Sequence, residues 1–190
     1  MHIGMIGGIG PASTVAYYQR LSAAVSDGVG VLDLTIVNAN VNELLRNNEA
    51  GDKNAQAITY AKLIDRLAAA GAECAVITSL GGHFCFDDTV SLSSLPMISA
   101  VPPLDAYFVA QGFKTVGLMG TKIVMNTSLY GQLSQTKALA PTDTLDLVSE
   151  TYIEMALASE CSETQRAFFI EDLPPKGGRG TTRKCRDSAR

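Results

Sequence analysis

His2 to Ile6 is a short, largely apolar run that stops at Gly7-Gly8-Ile9-Gly10-Pro11, which reads as a buried strand, a glycine turn and a proline at the first helical position. Val15, Tyr18, Leu21 and Val25 then recur three or four residues apart and predict a helix over Pro11 to Ser26, ended by Gly28 and Gly30. Val31 to Val37 reads as a second strand. The polar segment Asn38 to Asp52 leads to a helix carrying Ile58, Ala61, Ile64 and Ala68 on one face, with Gly71 as its C-terminal cap. Cys74 to Thr78 predicts a third strand, running directly into the second glycine turn, Ser79-Leu80-Gly81-Gly82-His83.

The alternation continues with a short strand over Pro96 to Ser99, a helix over Ala100 to Gly112, and a strand over Thr115 to Met119 that ends in Gly120-Thr121. Met125 to Gln135 and Thr144 to Ala158 read as helices, and Ser162-Glu163-Thr164-Gln165 has the spacing of a capping box. Strands alternating with helices predict an α/β fold with a doubly wound parallel sheet, which binds ligands beyond the carboxyl ends of its strands. The three glycine turns should therefore meet at one sheet edge and line one pocket.

Composition narrows the chemistry. No apolar run in the 190 residues approaches the roughly 20 needed to cross a bilayer, and Met1-His2-Ile3 does not resemble a secretory leader, so the cytoplasm is the expected compartment. Four cysteines without CxxC spacing and only two histidines give no support to a metal site. A net charge of −4 and a pI near 5.1 argue against a nucleic-acid partner and leave a small molecule as the expected ligand. From Asp172 the chain turns to Pro-Pro, Gly-Gly and six Lys/Arg against two Asp, a composition expected to be disordered.

A glycine turn at the start of a helix can be purely structural, or its N–H groups can hold a carboxylate; the turn alone leaves both open. Taken in order, Gly4-Met5-Ile6-Gly7-Gly8-Ile9-Gly10-Pro11, Ser13-Thr14 and Tyr17-Tyr18 resemble the N-terminal signature of the aspartate/glutamate racemase superfamily. Ala69 to Glu73, His83, Gly117 to Thr121, Met125 with Tyr130, and Ser162 to Phe169 fall where that family has equivalents, so the resemblance covers about residues 2 to 171.

The resemblance implies two pseudo-symmetric Rossmann-like α/β domains facing across a cleft, here an N-terminal domain over 1–99 and a partial second domain over 100–171, followed by the basic tail 172–190. It implies racemisation of an acidic amino acid by two-base proton transfer at Cα, with neither cofactor nor metal. One residue, usually cysteine, removes the proton from one face while another returns one from the opposite face. The first catalytic position falls on Ser79, a hydroxyl in place of a thiol, with His83 as the nearest base; a histidine after a buried strand is also a common structural residue. Gly8, Ile9, Gly10, Asn40, Leu80, Gly81, Gly82, Gly120 and Thr121 are the implied substrate-binding set.

The Gly-Cys-Thr turn that carries the family's second cysteine does not occur. Cys185 lies near the expected distance but has no strand before it and no glycine turn around it, which suggests a truncated or frame-shifted terminus and impaired activity. Missing final elements should leave apolar sheet surface uncovered, and a homodimer is expected to cover it. Two rivals follow: a catalytically silent carboxylate-binding protein, and a Rossmann-type nucleotide binder. The second is weakened by Asn38-Ala39-Asn40, where the ribose-binding acidic residue would stand.

Overall fold

The computed structural model describes residues 1–26 and 30–172. Gly28, the basic tail from residue 173 and Cys185 lie outside the described residues. The first lobe contains β1 (His2–Gly7), α1 (Pro11–Ala24), β2 (Asp33–Asn38), α2 (Val41–Ala50), α3 (Lys53–Ala69), β3 (Cys74–Ile77), α4 (Phe86–Leu92) and β4 (Met97–Ile98). Its four strands are parallel in the order β2-β1-β3-β4. The connection from β1 runs outward to β2, whereas β3 returns on the other side of β1. The order of the sheet therefore reverses between β1 and β3, and the loops after these two strands diverge to leave a crevice.

One face of the sheet packs on α3. Ile6 is in register with Val37 and Ile77, and Tyr60, Leu63, Ile64 and Leu67 cover them. Burial of Ile64 and Leu67 contributes roughly 1.5–3 kcal/mol each. Gly4 permits the approach, because a Cβ there would stand 2.9 Å from Leu67 Cδ1.

The buried stripe of α3 differs from the one read off the sequence. Gln56, Ala57, Tyr60, Leu63, Ile64 and Leu67 face inward, and Ile58 is exposed. Both stripes have helical spacing, and contact with β1 selects between them. Within the polar segment before α3 lies α2, capped by the Asn40 side chain and closed by Gly51 at φ 65°. Asn40-Val41-Asn42-Glu43 has the spacing of an N-terminal capping signal.

The opposite sheet face is only partly covered by α1. Met5 is buried, but Val15, Tyr18, Ile36 and Ile98 stay exposed, and a groove of about 450 Å³ runs between Tyr18, Ser22 and Val25 of α1's side and Leu32, Leu34 and Ile36. Of the stripe predicted for α1, Leu21 and Val25 are part-buried while Val15 and Tyr18 are exposed, and no residue of α1 is fully buried.

The second lobe contains α5 (Val101–Ala110), β5 (Thr115–Gly117), α6 (Lys122–Asn126), β6 (Lys137–Leu139), α7 (Leu145–Ala158) and α8 (Glu163–Ala167), which continues as a wider helical turn over Phe168–Asp172. Strands β5 and β6 form a two-stranded parallel sheet. Val101, Val124 and Leu129 form its small core, joined by Leu80 from the first lobe and by Tyr130, which packs against both cores. The predicted capping box is present: Ser162 Oγ accepts from Gln165 N–H, and Gln165 Oε1 accepts from Ser162 N–H.

The helix predicted over Met125 to Gln135 is instead broken. Ser128, Leu129, Tyr130 and Gly131 all have φ between 50 and 66°, a left-handed turn that drives Leu129 into the core. Asp105 of α5 holds the chain beyond it, its carboxylate accepting from Ser134 N–H, Ser134 Oγ–H and Gln135 N–H. Among the described residues, no helix is long and apolar enough to cross a membrane.

Candidate active site

The crevice between β1 and β3 is built from two glycine turns. After β1, Gly10 adopts φ 88° and ψ 115°, a conformation that L side chains rarely adopt, and Ser13 Oγ donates to its carbonyl at 3.1 Å. Thr78, directly after β3, donates its hydroxyl to Ile6 O at 3.0 Å, so the 2.9 Å bond between Thr14 Oγ1 and Thr78 Oγ1 has Thr14 as donor. This pair ties α1 to the end of β3 across the crevice.

The second turn begins at Ser79 and continues as a 3₁₀ turn over Leu80–Cys85. Each of its first four carbonyls accepts from a side chain. Ser79 O accepts from His83 Nδ1–H at 2.9 Å, Leu80 O from Tyr130 Oη–H at 2.8 Å, Gly81 O from Asn48 Nδ2–H at 3.0 Å, and Gly82 O from Cys85 S–H at 3.5 Å. A Cβ on Gly82 would overlap Tyr60 Oη and approach Ile77 Cγ2 at 2.9 Å, so the turn needs glycine there.

His83 is buried, and both of its ring nitrogens are engaged: Nδ1 donates to Ser79 O while Nε2 accepts from Ala100 N–H at 3.4 Å. The ring stacks on Phe86 with centroids 5.2 Å apart. Burial pushes its pKa down, and the opposing effect of the Ser79 carbonyl is outweighed. This is the neutral Nδ1–H tautomer, holding the end of β3 to the start of α5. Of the two roles left open for His83, the geometry supports the structural one. Burial likewise pushes the Cys85 thiol up to about 11, which keeps it a protonated donor.

A cavity of about 500 Å³ opens in front of these turns. Ile9, Gly10, Ala12, Ser13, Tyr17, Thr78, Ser79 and Leu80 form one wall, and Tyr152, Met155, Ala156, Ser159, Glu160 and Cys161 the other. The two walls touch at Gly10, where a Cβ would stand 2.8 Å from Ala156 O. Among the described residues that line it, Glu160 is the only formally charged one, so these residues would hold a carboxylate through neutral donors. Burial raises the pKa of Tyr152, whose hydroxyl therefore remains a donor.

Of the residues singled out in the sequence, Ile9, Gly10, Ser79 and Leu80 meet in this cavity. Gly8 is buried beneath Leu44, and Gly81 and Gly82 lie in the buried part of the second turn. Asn40 is an exposed helix cap whose Oδ1 accepts from the N–H groups of Asn42 and Glu43. Gly120 and Thr121 stand outside the lining, at the start of α6, where Thr121 abuts Gly81. The Thr121 hydroxyl finds no partner among the described residues.

The wall from α7 was not anticipated. Its signal was Tyr152, Met155, Ala156 and Ser159, one helical face at spacings of three, four and seven, which sequence alone does not assign to a cavity. Cys161 likewise lines the cavity, although its sequence position marks only a loop. Among the described residues, no cluster of three or more His, Cys, Asp or Glu could hold a metal ion.

Comparison with known proteins agrees with this architecture. The chain resembles the crystal structure of an aspartate racemase homologue from Pyrococcus horikoshii with a TM-score of 0.62 and 24% identity, covering 90% of this chain and 70% of that one. A protein from Yersinia pestis assigned as an Asp/Glu racemase superposes with a TM-score of 0.71 and 26% identity, covering 89% and 77%. The aspartate racemase of Picrophilus torridus gives 0.63 and 18%, covering 80% and 66%. The sequence model of the Asp/Glu/Hydantoin racemase family matches residues 6–172, and the chain belongs to that family.

Proposed function

We propose that this chain binds an acidic amino acid, aspartate or glutamate, in the cavity between the Gly10 and Ser79 turns, and exchanges its Cα proton slowly without cofactor or metal. The observation that carries this reading is the meeting of Ile9, Gly10, Ser79 and Leu80 in one cavity at the sheet's switch point. Backbone N–H groups and the hydroxyls of Tyr17 and Tyr152 would hold the carboxylates, and Glu160 would pair with the substrate ammonium. Ser79 occupies one proton-transfer position. Its hydroxyl is a far weaker acid than a thiol, and His83, engaged at both nitrogens, is not free to activate it.

The expected activity is therefore impaired. Incubated with L- or D-aspartate or glutamate in deuterated water, the protein should incorporate Cα deuterium slowly and racemise less than it exchanges. Ser79→Ala should abolish exchange, and Ser79→Cys should raise it by about 10² or more. Fast racemisation unaffected by Ser79→Ala would put the chemistry elsewhere. A second reading, a carboxylate-binding protein without catalysis, draws support from the engagement of His83 at both ring nitrogens; binding without any exchange would select it.

The same reading has the protein working in the cytoplasm as a homodimer. Tyr18, Val25, Leu34 and Ile36, an apolar strip left at the surface between α1 and β2, support the pairing.

A further inference from the structure

We propose that Tyr130 is a positioning residue of this site: from a left-handed turn of the second lobe its hydroxyl holds the Leu80 carbonyl, and so fixes the orientation of the Ser79–Leu80 wall of the cavity. The inference rests on the reading of that cavity as the binding site. Its first ground is backbone conformation. Ser128, Leu129 and Tyr130 are three successive non-glycine residues at φ 50, 59 and 61°, a region such residues occupy only rarely. Such a turn persists only where its surroundings hold it. Leu129 fills the second core, Tyr130 N–H donates to Thr127 Oγ1 at 2.9 Å, and the Tyr130 ring packs between both cores.

The second ground is what the hydroxyl touches. Tyr130 Oη donates to Leu80 O at 2.8 Å, across fifty residues of sequence, while Asn48 Nδ2 donates to the next carbonyl, Gly81 O, at 3.0 Å. Gly81 and Gly82 have no Cβ to resist rotation, so either orientation of the Leu80–Gly81 peptide is sterically open to the isolated turn. In a trans peptide the N–H points opposite to the C=O. Holding the Leu80 carbonyl toward Tyr130 therefore also directs the Gly81 N–H to the other side. Burial keeps the phenol protonated and hence a donor. Tyr130 and Asn48 together supply the constraint that the two glycines lack, and they bring it from different parts of the chain.

Tyr130→Phe removes the hydroxyl and keeps the ring in both cores. In amide spectra of the free protein, the Gly81 resonance should shift and broaden or double in Tyr130→Phe, and that of Gly82 should do so in Asn48→Ala. L-Aspartate affinity should fall about tenfold in each, the effect of one lost hydrogen bond. A residue that merely filled space would leave the Gly81 resonance and the affinity unchanged in Tyr130→Phe, and that result would overturn the proposal. Should the unaltered protein not bind L-aspartate, the reading of the cavity fails, but the Gly81 and Gly82 resonances still decide whether the two side chains hold the turn. Unchanged resonances in both variants would sink it regardless of ligand.

Discussion

Replacing Gly10 with alanine should remove about 3 kcal/mol or more of stability and lower the melting temperature by roughly 6–12 °C. Two costs combine. At φ 88° and ψ 115° the Gly10 backbone lies where L side chains rarely go, and the new Cβ would stand 2.8 Å from Ala156 O and 3.0 Å from Ala156 Cβ. Neither contact is with the end of a flexible side chain that could swing away, so α7 must move. Since Tyr152, Met155, Ala156 and Ser159 of that region form one cavity wall, the same substitution should abolish L-aspartate binding. Urea unfolding and calorimetric titration check the two halves. A Gly10→Ala protein with unaltered stability would mean that α7 does not dock on this turn.

His83→Leu should cost about 2–3 kcal/mol and flatten the dependence of stability on pH. The substitution leaves the part-buried Ala100 N–H without its acceptor and removes one of the two donors to Ser79 O, which keeps Gly82 N–H at 3.1 Å. The pH effect follows from the depressed pKa of the buried imidazole. An unfolded histidine titrates near about 6.5, so between that value and the lower folded pKa the unfolded chain binds more protons and stability rises with pH. The contribution is whole above about pH 6.5 and is lost as pH falls through the folded pKa. Unfolding free energies compared between the unaltered protein and His83→Leu from about pH 7 down to about pH 5 should converge. Parallel curves would show that His83 titrates in the fold as it does in the unfolded chain.

What could be read from the sequence was local. The β1 strand, its glycine turn and the start of α1 follow from neighbouring residues, as does the capping box at Ser162, and all are present. The α3 face was misread because Ile58 and Tyr60 belong to equally periodic stripes, and only the approach of β1 to Leu67 decides between them. The segment around Leu129 and Tyr130 was read as helix from its apolar spacing, but Asn126, Thr127, Ser128 and Gly131 are weak helix formers, and packing of Leu129 in the second core holds a left-handed turn there instead. Strand β6 has three residues, too few for a period to be visible, and exists through its pairing with β5.

The site divides in the same way. Ile9, Gly10, Ser79 and Leu80 follow strands directly, so strand-end logic found them. The side chains holding the second turn from Asn48 and Tyr130, and the α7 wall with Cys161, depend on contacts between distant segments that no local pattern encodes.

The central claim, that an acidic amino acid sits between the Gly10 and Ser79 turns, is tested most directly by following backbone amide resonances while L-aspartate is added. The account predicts saturable shifts centred on Ile9, Gly10, Ser79, Leu80 and Ala156, lost in Gly10→Ala. Shifts confined to the α1–β2 groove around Leu34 and Ile36, or no shifts with either aspartate or glutamate, would contradict it.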